Sequence, residues 1–120
     1  MNDARGYLQV PVEAAKQLAT ECWRLKCLAS SSTLLEDDQV ALERSARRVS
    51  EALVSIGIRI TDLRGTAYDA GMAPEVLEVQ IDPALADGES VIDETVLPTI
   101  AWNGSIIQVG QVVVRKAPSR

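Results

Sequence analysis

The chain contains no histidine and no phenylalanine, and only two tryptophans, two tyrosines and two cysteines among its 120 residues. Without histidine the commonest general base is missing, and neither a Ser–His nor a Cys–His nucleophile pair can be assembled. Cys22 and Cys27 have no second cysteine pair and no histidine with which to complete a zinc site. A disulfide between two residues five apart on one helix would be strained, so both read as reduced thiols, with Cys22 packed in a seam. The shortage of aromatics leaves Val, Leu, Ile and Ala to build the core, and such side chains suit narrow helix–helix seams and sheet faces. No apolar run approaches the ~20 residues that span a bilayer, and Met1–Val10 is polar with no apolar signal core. A cytoplasmic protein that does not enter a membrane is expected.

Positive charge is also scarce. The net charge is −5, which argues against a phosphate-backbone binder and hence against nucleic acid as a partner. From Asp62 to Glu94 there are nine acidic residues and one basic residue, Arg64. Such a patch either faces a basic partner or is a solvated acidic face. Arg44, Arg47 and Arg48 are interleaved with Glu43 and Glu51, with no aromatics nearby to stack bases, and read as a solvated helix face. The glycines form no phosphate-cradling loop, and the acidic stretch Asp82–Glu89 lacks calcium-loop spacing. Asp93 and Glu94, adjacent on a strand, point to opposite faces. No catalytic residue, metal or cofactor is expected; the chain reads as a binding protein and not an enzyme.

Apolar spacing supplies the architecture. After Met1–Val10, expected to be frayed or extended, Pro11 opens a helix to about Ala29, with Leu8, Ala15, Leu18, Cys22, Leu25 and Ala29 on steps of three and four, the slot between Leu8 and Ala15 falling on Pro11, and Ala19 and Trp23 widening the stripe. Ser30–Thr33 is expected to interrupt it. Thr33 and Glu36 form a capping-box pattern, and Asp37 and Asp38 suit a helix start. A second helix is predicted from Leu34 to about Ile56, with Leu35, Leu42, Ala46, Val49, Leu53 and Ile56 as its stripe, Gln39 as its one break and Glu43–Arg47 as an outer pair. Gly57 is the expected stop. The period then becomes two. Ile58–Ile60 begins an extended segment, and Leu77, Val79 and Ile81 alternate with Glu78 and Gln80 as a half-buried strand. Val91–Trp102 reads as a strand with Pro98 at a bulge or edge. Asn103–Gly104 is the preferred pair for a type I′ hairpin, and Ser105–Val114 returns as a strand. The predicted fold is α+β: two amphipathic helices, then a small, mostly antiparallel sheet. The narrow helical stripes either pack on the protein's own sheet or form a bundle shared between two chains, and their width favours the bundle. Trp102 at the hairpin is either a contact anchor or packs inward.

The stretch from Leu42 to the C-terminus, about two-thirds of the chain, resembles the GrpE family of nucleotide-exchange factors. An amphipathic helix ends at Gly57-Ile58-Arg59-Ile60. Asp62, Gly65 and Tyr68-Asp69-Ala70-Gly71-Met72 follow, then a strand, a turn at Asp87-Gly88 and a strand leading to Trp102. Asn103-Gly104-Ser105-Ile106-Ile107-Gln108-Val109-Gly110-Gln111-Val112-Val113-Val114 is similar to the family's last hairpin. The chain departs from the pattern at Ala70 and Ala73, where the family has Pro and His, at Thr99-Ile100, where it has Gly and an aromatic, and at Ser105 and Gln108, where it has basic residues. The family's long N-terminal helix is missing or much shortened. The resemblance implies a helical dimerisation region over residues 1–57 and a β-wing domain over 58–120. It implies a homodimer sealed through Leu35, Leu42, Ala46, Val49, Leu53 and Ile56. It also implies a wing that meets a DnaK-type or DnaK-like ATPase through Trp102, Asn103, Gly104, Ser105 and Gln108, opens its nucleotide cleft and promotes ADP release. The alternative is an interaction subunit of a larger assembly that keeps the fold without exchange activity.

Overall fold

Among the described residues, two amphipathic helices precede Gly57 and six of the eight strands follow it. The structure is a computed structural model and describes the backbone of residues 2–3, 6–31 and 33–119 and the side chains from residue 6 within that set. The chain divides into two compact units, one ending at Ile56 and the other starting at Gly57. The fold class is α+β, as the change of period at Gly57 predicts.

In the first unit, β1 (Asn2–Asp3) pairs antiparallel with β2 (Tyr7–Leu8). Leu8 is therefore in a strand and exposed, not at the head of a helical stripe. Helix α1 (Val12–Ser31) opens with Pro11, whose carbonyl accepts from the Ala15 N–H at 3.1 Å. Pro lacks a donor that this position does not need. The helix runs past the expected break. Ser30 and Ser31 remain helical, their hydroxyls donating to the carbonyls of Lys26 and Cys27, four residues back, at 3.0 and 2.9 Å. Ser32 lies outside the described residues.

Helix α2 (Glu36–Ser55) starts two residues later than expected, and the capping box does not form. Leu35 occupies the N-cap without a side-chain bond, so Glu36 is the first helical residue and cannot reach back as a third one would. Glu36, Asp37 and Asp38 instead place three carboxylates in the first turn, where the helix dipole favours them. Gly57 follows the helix with φ +91°, a conformation that glycine adopts without steric cost. On the outer face Arg47 pairs with Glu51 at 4.0 Å, where Glu43 was expected.

The buried line of α1 is Ala19, Cys22 and Ala29, and that of α2 is Ala46 and Leu53. The Cys22 thiol points at the Ala46 carbonyl, 3.9 Å away. Burial pushes that thiol's pKa up, so it stays protonated; neither cysteine forms a disulfide, and Cys27 is exposed. Leu18 and Leu25, expected in the stripe, are exposed beside it. Small side chains along the contact let the helices approach closely. Gln39, the polar break in the stripe, donates to the Ala29 carbonyl at 3.1 Å, serving one of the four carbonyls that the end of α1 leaves without a partner within the helix. Among the described residues no helix is long and apolar enough to cross a membrane.

The second unit holds two three-stranded sheets. One has the order β3 (Ile58–Thr61), β6 (Thr99–Trp102), β7 (Ser105–Gln108), all antiparallel. The other has the order β4 (Glu75–Ile81), β8 (Gln111–Lys116), β5 (Ser90–Leu97) and is mixed, because β4 runs parallel to β8. Ile92, Val112 and Val114 form its buried centre, with Leu63, Tyr68, Met72 and Val76 packed against them.

Three expectations about the strands change here. Val91–Trp102 is two strands, not one: Pro98 is buried between β5 and β6, and the chain passes there from one sheet to the other. Ser105–Val114 divides likewise into β7 and β8. Finally, Leu77, Val79 and Ile81 do not form one half-buried row: Leu77 is the extra residue at a register shift between Val76 and Glu78, Val79 comes opposite Val114, and all three remain exposed on the edge strand.

Candidate partner-binding surface

The β6–β7 hairpin carries the residues expected to meet a partner. Asn103 (φ +48°) and Gly104 (φ +85°) both sit in the left-handed region, as a two-residue type I′ turn demands. Trp102 pairs across the turn with Ser105 and keeps 50% of its surface exposed. Half of a large amphipathic ring is thus presented at a turn whose geometry is set by the backbone. Ile106 and Val109, which the sequence reading did not single out, add exposed apolar surface on the same hairpin arm. Their signal was present in the sequence, as apolar residues beside the Asn–Gly turn in a strand of few polar groups.

The tip is braced at its base. The Asn103 N–H donates to the Gly57 carbonyl at 2.9 Å, and β3 continues the pairing from Ile58 opposite Trp102. A Cβ at Gly57 would overlap the Asn103 side-chain amide. This glycine therefore serves twice: it turns the chain out of α2, and it leaves room for the hairpin turn to settle against the start of β3.

Gln108 has a different place from Trp102. It is half-buried, and its side-chain amide donates to the Pro98 carbonyl at 3.1 Å. It fastens the crossing between the two sheets. Gly110 lies at the same crossing, with its N–H donating to Thr99 Oγ1 at 3.1 Å and its carbonyl accepting from the Glu75 N–H at 2.8 Å. A Cβ there would come within 2.6 Å of Thr99 Oγ1, 2.9 Å of Thr99 N and 3.0 Å of the Leu97 carbonyl oxygen. The strands can cross only because residue 110 has no side chain.

The acidic groups of this unit act mainly within the fold. Asp82 accepts from the Ala84 N–H at 2.9 Å and from Arg115, whose Nε also donates to Asp93 at 2.8 Å. Arg115 thereby joins β8 to β5 and to the loop after β4. The Ala84 N–H bond, followed by the Arg115 guanidinium, holds the Asp82 carboxyl below its ordinary range. The two carboxylates raise Arg115 in return. Asp62 accepts from the buried Thr95 hydroxyl at 2.6 Å and from the Arg64 N–H at 3.0 Å, pinning the segment after β3 to β5. Glu89 accepts from the Ala86 N–H at 3.1 Å. Among the described residues no cluster of three His, Cys, Asp or Glu side chains is placed to hold a metal ion.

The six helical residues expected at a seam divide into two sets. Ala46 and Leu53 are buried and Leu42 is half-buried, whereas Leu35, Val49 and Ile56 are exposed. Val40 and Val54, outside the expected stripe, are exposed as well, as are Leu18, Leu25 and Leu28 on α1. The two helices thus bury a thin line of mostly small side chains and leave larger apolar ones uncovered beside it.

Comparison with protein-family models and with curated proteins finds no match to this chain.

Proposed function

We propose that this chain is a short, divergent GrpE-like nucleotide-exchange factor: a cytoplasmic homodimer joined through its helices, whose β-unit binds a DnaK-type or DnaK-like ATPase and promotes release of ADP. The observation that carries the reading is the braced type I′ hairpin with a half-exposed Trp102 at its turn, set in a β-unit that follows an amphipathic helical pair. The order of these features along the chain is that of the family the sequence resembles. Leu35, Val49 and Ile56, exposed on α2 together with Val40 and Val54, support association through the helices.

The mechanism needs no reacting side chain. The wing binds the open conformer of the ATPase more tightly than the closed one, and that difference shifts the population towards the state from which ADP escapes. A hundredfold preference corresponds to about 2.7 kcal/mol, within reach of one buried tryptophan and a few hydrogen bonds. A second reading, a binding subunit that retains the fold without exchange activity, draws on one observation. Ser105 and Gln108 stand where the family has basic residues, and the Gln108 amide is already engaged with Pro98.

The test is release of a fluorescent ADP analogue from the DnaK-type ATPases of the source organism, with and without the protein. Faster release from one of them, lost in Trp102→Ala, supports exchange. No acceleration by a folded dimer, together with stable copurification of another protein, supports the second reading.

A further inference from the structure

Strand β4 is the edge of the mixed sheet. Its inner side pairs with β8 from Glu75 opposite Gln111 to Ile81 opposite Lys116, and among the described residues no strand lies on its outer side. Main-chain donors and acceptors therefore face outward along a strand of seven residues, about 23 Å, in two runs on either side of the register shift at Leu77. Leu77, Val79 and Ile81 are exposed at 48%, 50% and 58%, a large apolar content for an open edge. Neither proline nor a basic residue interrupts the strand; its two charges are Glu75 and Glu78, both exposed. No lysine or arginine occurs in the sequence between Arg64 and Arg115, and Arg115 is held by Asp82 and Asp93.

We infer that the outer edge of β4 takes up an extended segment of another protein in which apolar side chains alternate with basic ones, added to the sheet as a fourth strand. Main-chain bonds along the edge supply the affinity, Leu77, Val79 and Ile81 supply apolar contact, and Glu75 and Glu78 select the charge. Glu78 also decides against a second copy of this chain. The antiparallel register that pairs all seven residues sets Glu78 opposite Glu78, where like charges repel. A basic strand meets the same carboxylates with the opposite sign. This surface is separate from the Trp102 hairpin, and the inference stands whether or not the protein exchanges nucleotide.

The probe is an acetylated, amidated heptapeptide of alternating lysine and valine, titrated into the isotopically labelled full chain while backbone amide shifts are followed. Shift changes concentrated on residues 75–81, with saturation below the millimolar range, are expected. A peptide N-methylated at its five central amides keeps the charge and the valines but loses the strand donors, and it should not bind. Glu78→Lys, an exposed substitution whose fold the same spectra verify, should weaken binding at least tenfold; Glu75→Lys serves equally if that variant does not fold. Equal binding of the N-methylated peptide, or shifts spread over residues 82–89, would reduce the effect to diffuse charge attraction and overturn the inference. So would the absence of any shift, or concentration-dependent shifts on β4 without peptide, which would make the occupant a second copy.

Discussion

Substituting Gly110 by alanine tests whether the crossing between the two sheets is as tight as its geometry indicates. The added methyl would stand 2.6–3.0 Å from Thr99 Oγ1, Thr99 N and the Leu97 carbonyl oxygen. Two of these are main-chain atoms that cannot rotate away, so β5 or β8 must shift, and overpacking of this kind costs about 1–3 kcal/mol. Gly→Ala also narrows the unfolded ensemble, which returns about 0.4–1 kcal/mol because φ at Gly110 is not positive. The net expectation is a loss of about 1–2 kcal/mol. With a urea slope of about 1 kcal/mol/M for so small a unit, the midpoint should fall by about 1–2 M. The protein carries one tryptophan in each unit, Trp23 in α1 and Trp102 in β6. Trp102 fluorescence in a Trp23→Phe background therefore follows the β-unit alone. Gly71→Ala is the matched control: its φ is not positive and the nearest atom to the new methyl, Asp69 Oδ1, is 3.9 Å away. It should leave the midpoint unchanged or raise it slightly. Equal midpoints for Gly110→Ala and the unsubstituted protein would refute the account of the crossing.

In the helical unit, Leu53→Ala should cost about 2–5 kcal/mol because Leu53 is buried within the chain, measured by helical circular dichroism against urea. Val49→Glu, on the exposed side, should halve the mass in light scattering and lower that midpoint only by the stabilisation that the dimer supplies; an unaltered dimer mass would rule out Val49 as part of the seam. Thr95→Val keeps the shape of a buried side chain but removes the 2.6 Å bond to Asp62, and should lower the stability of the β-unit by about 1 kcal/mol in the Trp102 assay. Asp82 has a folded pKa below its unfolded one, so its contribution is fully present above the unfolded value and is lost as pH falls through the folded one. The β-unit should therefore lose stability below about pH 4, and Asp82→Asn should flatten the dependence in that range; an identical acid profile for the two proteins would exclude Asp82 as its source.

Sequence alone determined the elements whose causes are local. The change from a helical period to a period of two at Gly57 marks the division into helices and strands, because apolar spacing reports directly which face an element buries. The Asn103–Gly104 turn was legible for the same kind of reason, since only residues tolerant of positive φ can occupy both turn positions. Tertiary structure decided what depends on residues far apart in the chain. The periodic stripe of α1 contained both buried Cys22 and exposed Leu18 and Leu25, and only the position of Ala46 across the seam separates them. Apolar spacing identifies a helix face to within a residue or two, whereas the line of closest approach depends on the partner helix. Val91–Trp102 and Ser105–Val114 read as unbroken strands because every residue but Pro98 and Gly110 suits an extended chain. Their division between two sheets follows from Pro98, Thr99 and Gly110 meeting at one point, a contact between segments more than ten residues apart. The alternation of Leu77, Val79 and Ile81 predicted a buried face, but a register shift at Leu77 breaks the alternation, and all three are exposed on an edge that no strand of the described chain covers. A period of two states that a strand has two faces; which face, and which edge, meets water is decided only by the strand that lies beside it.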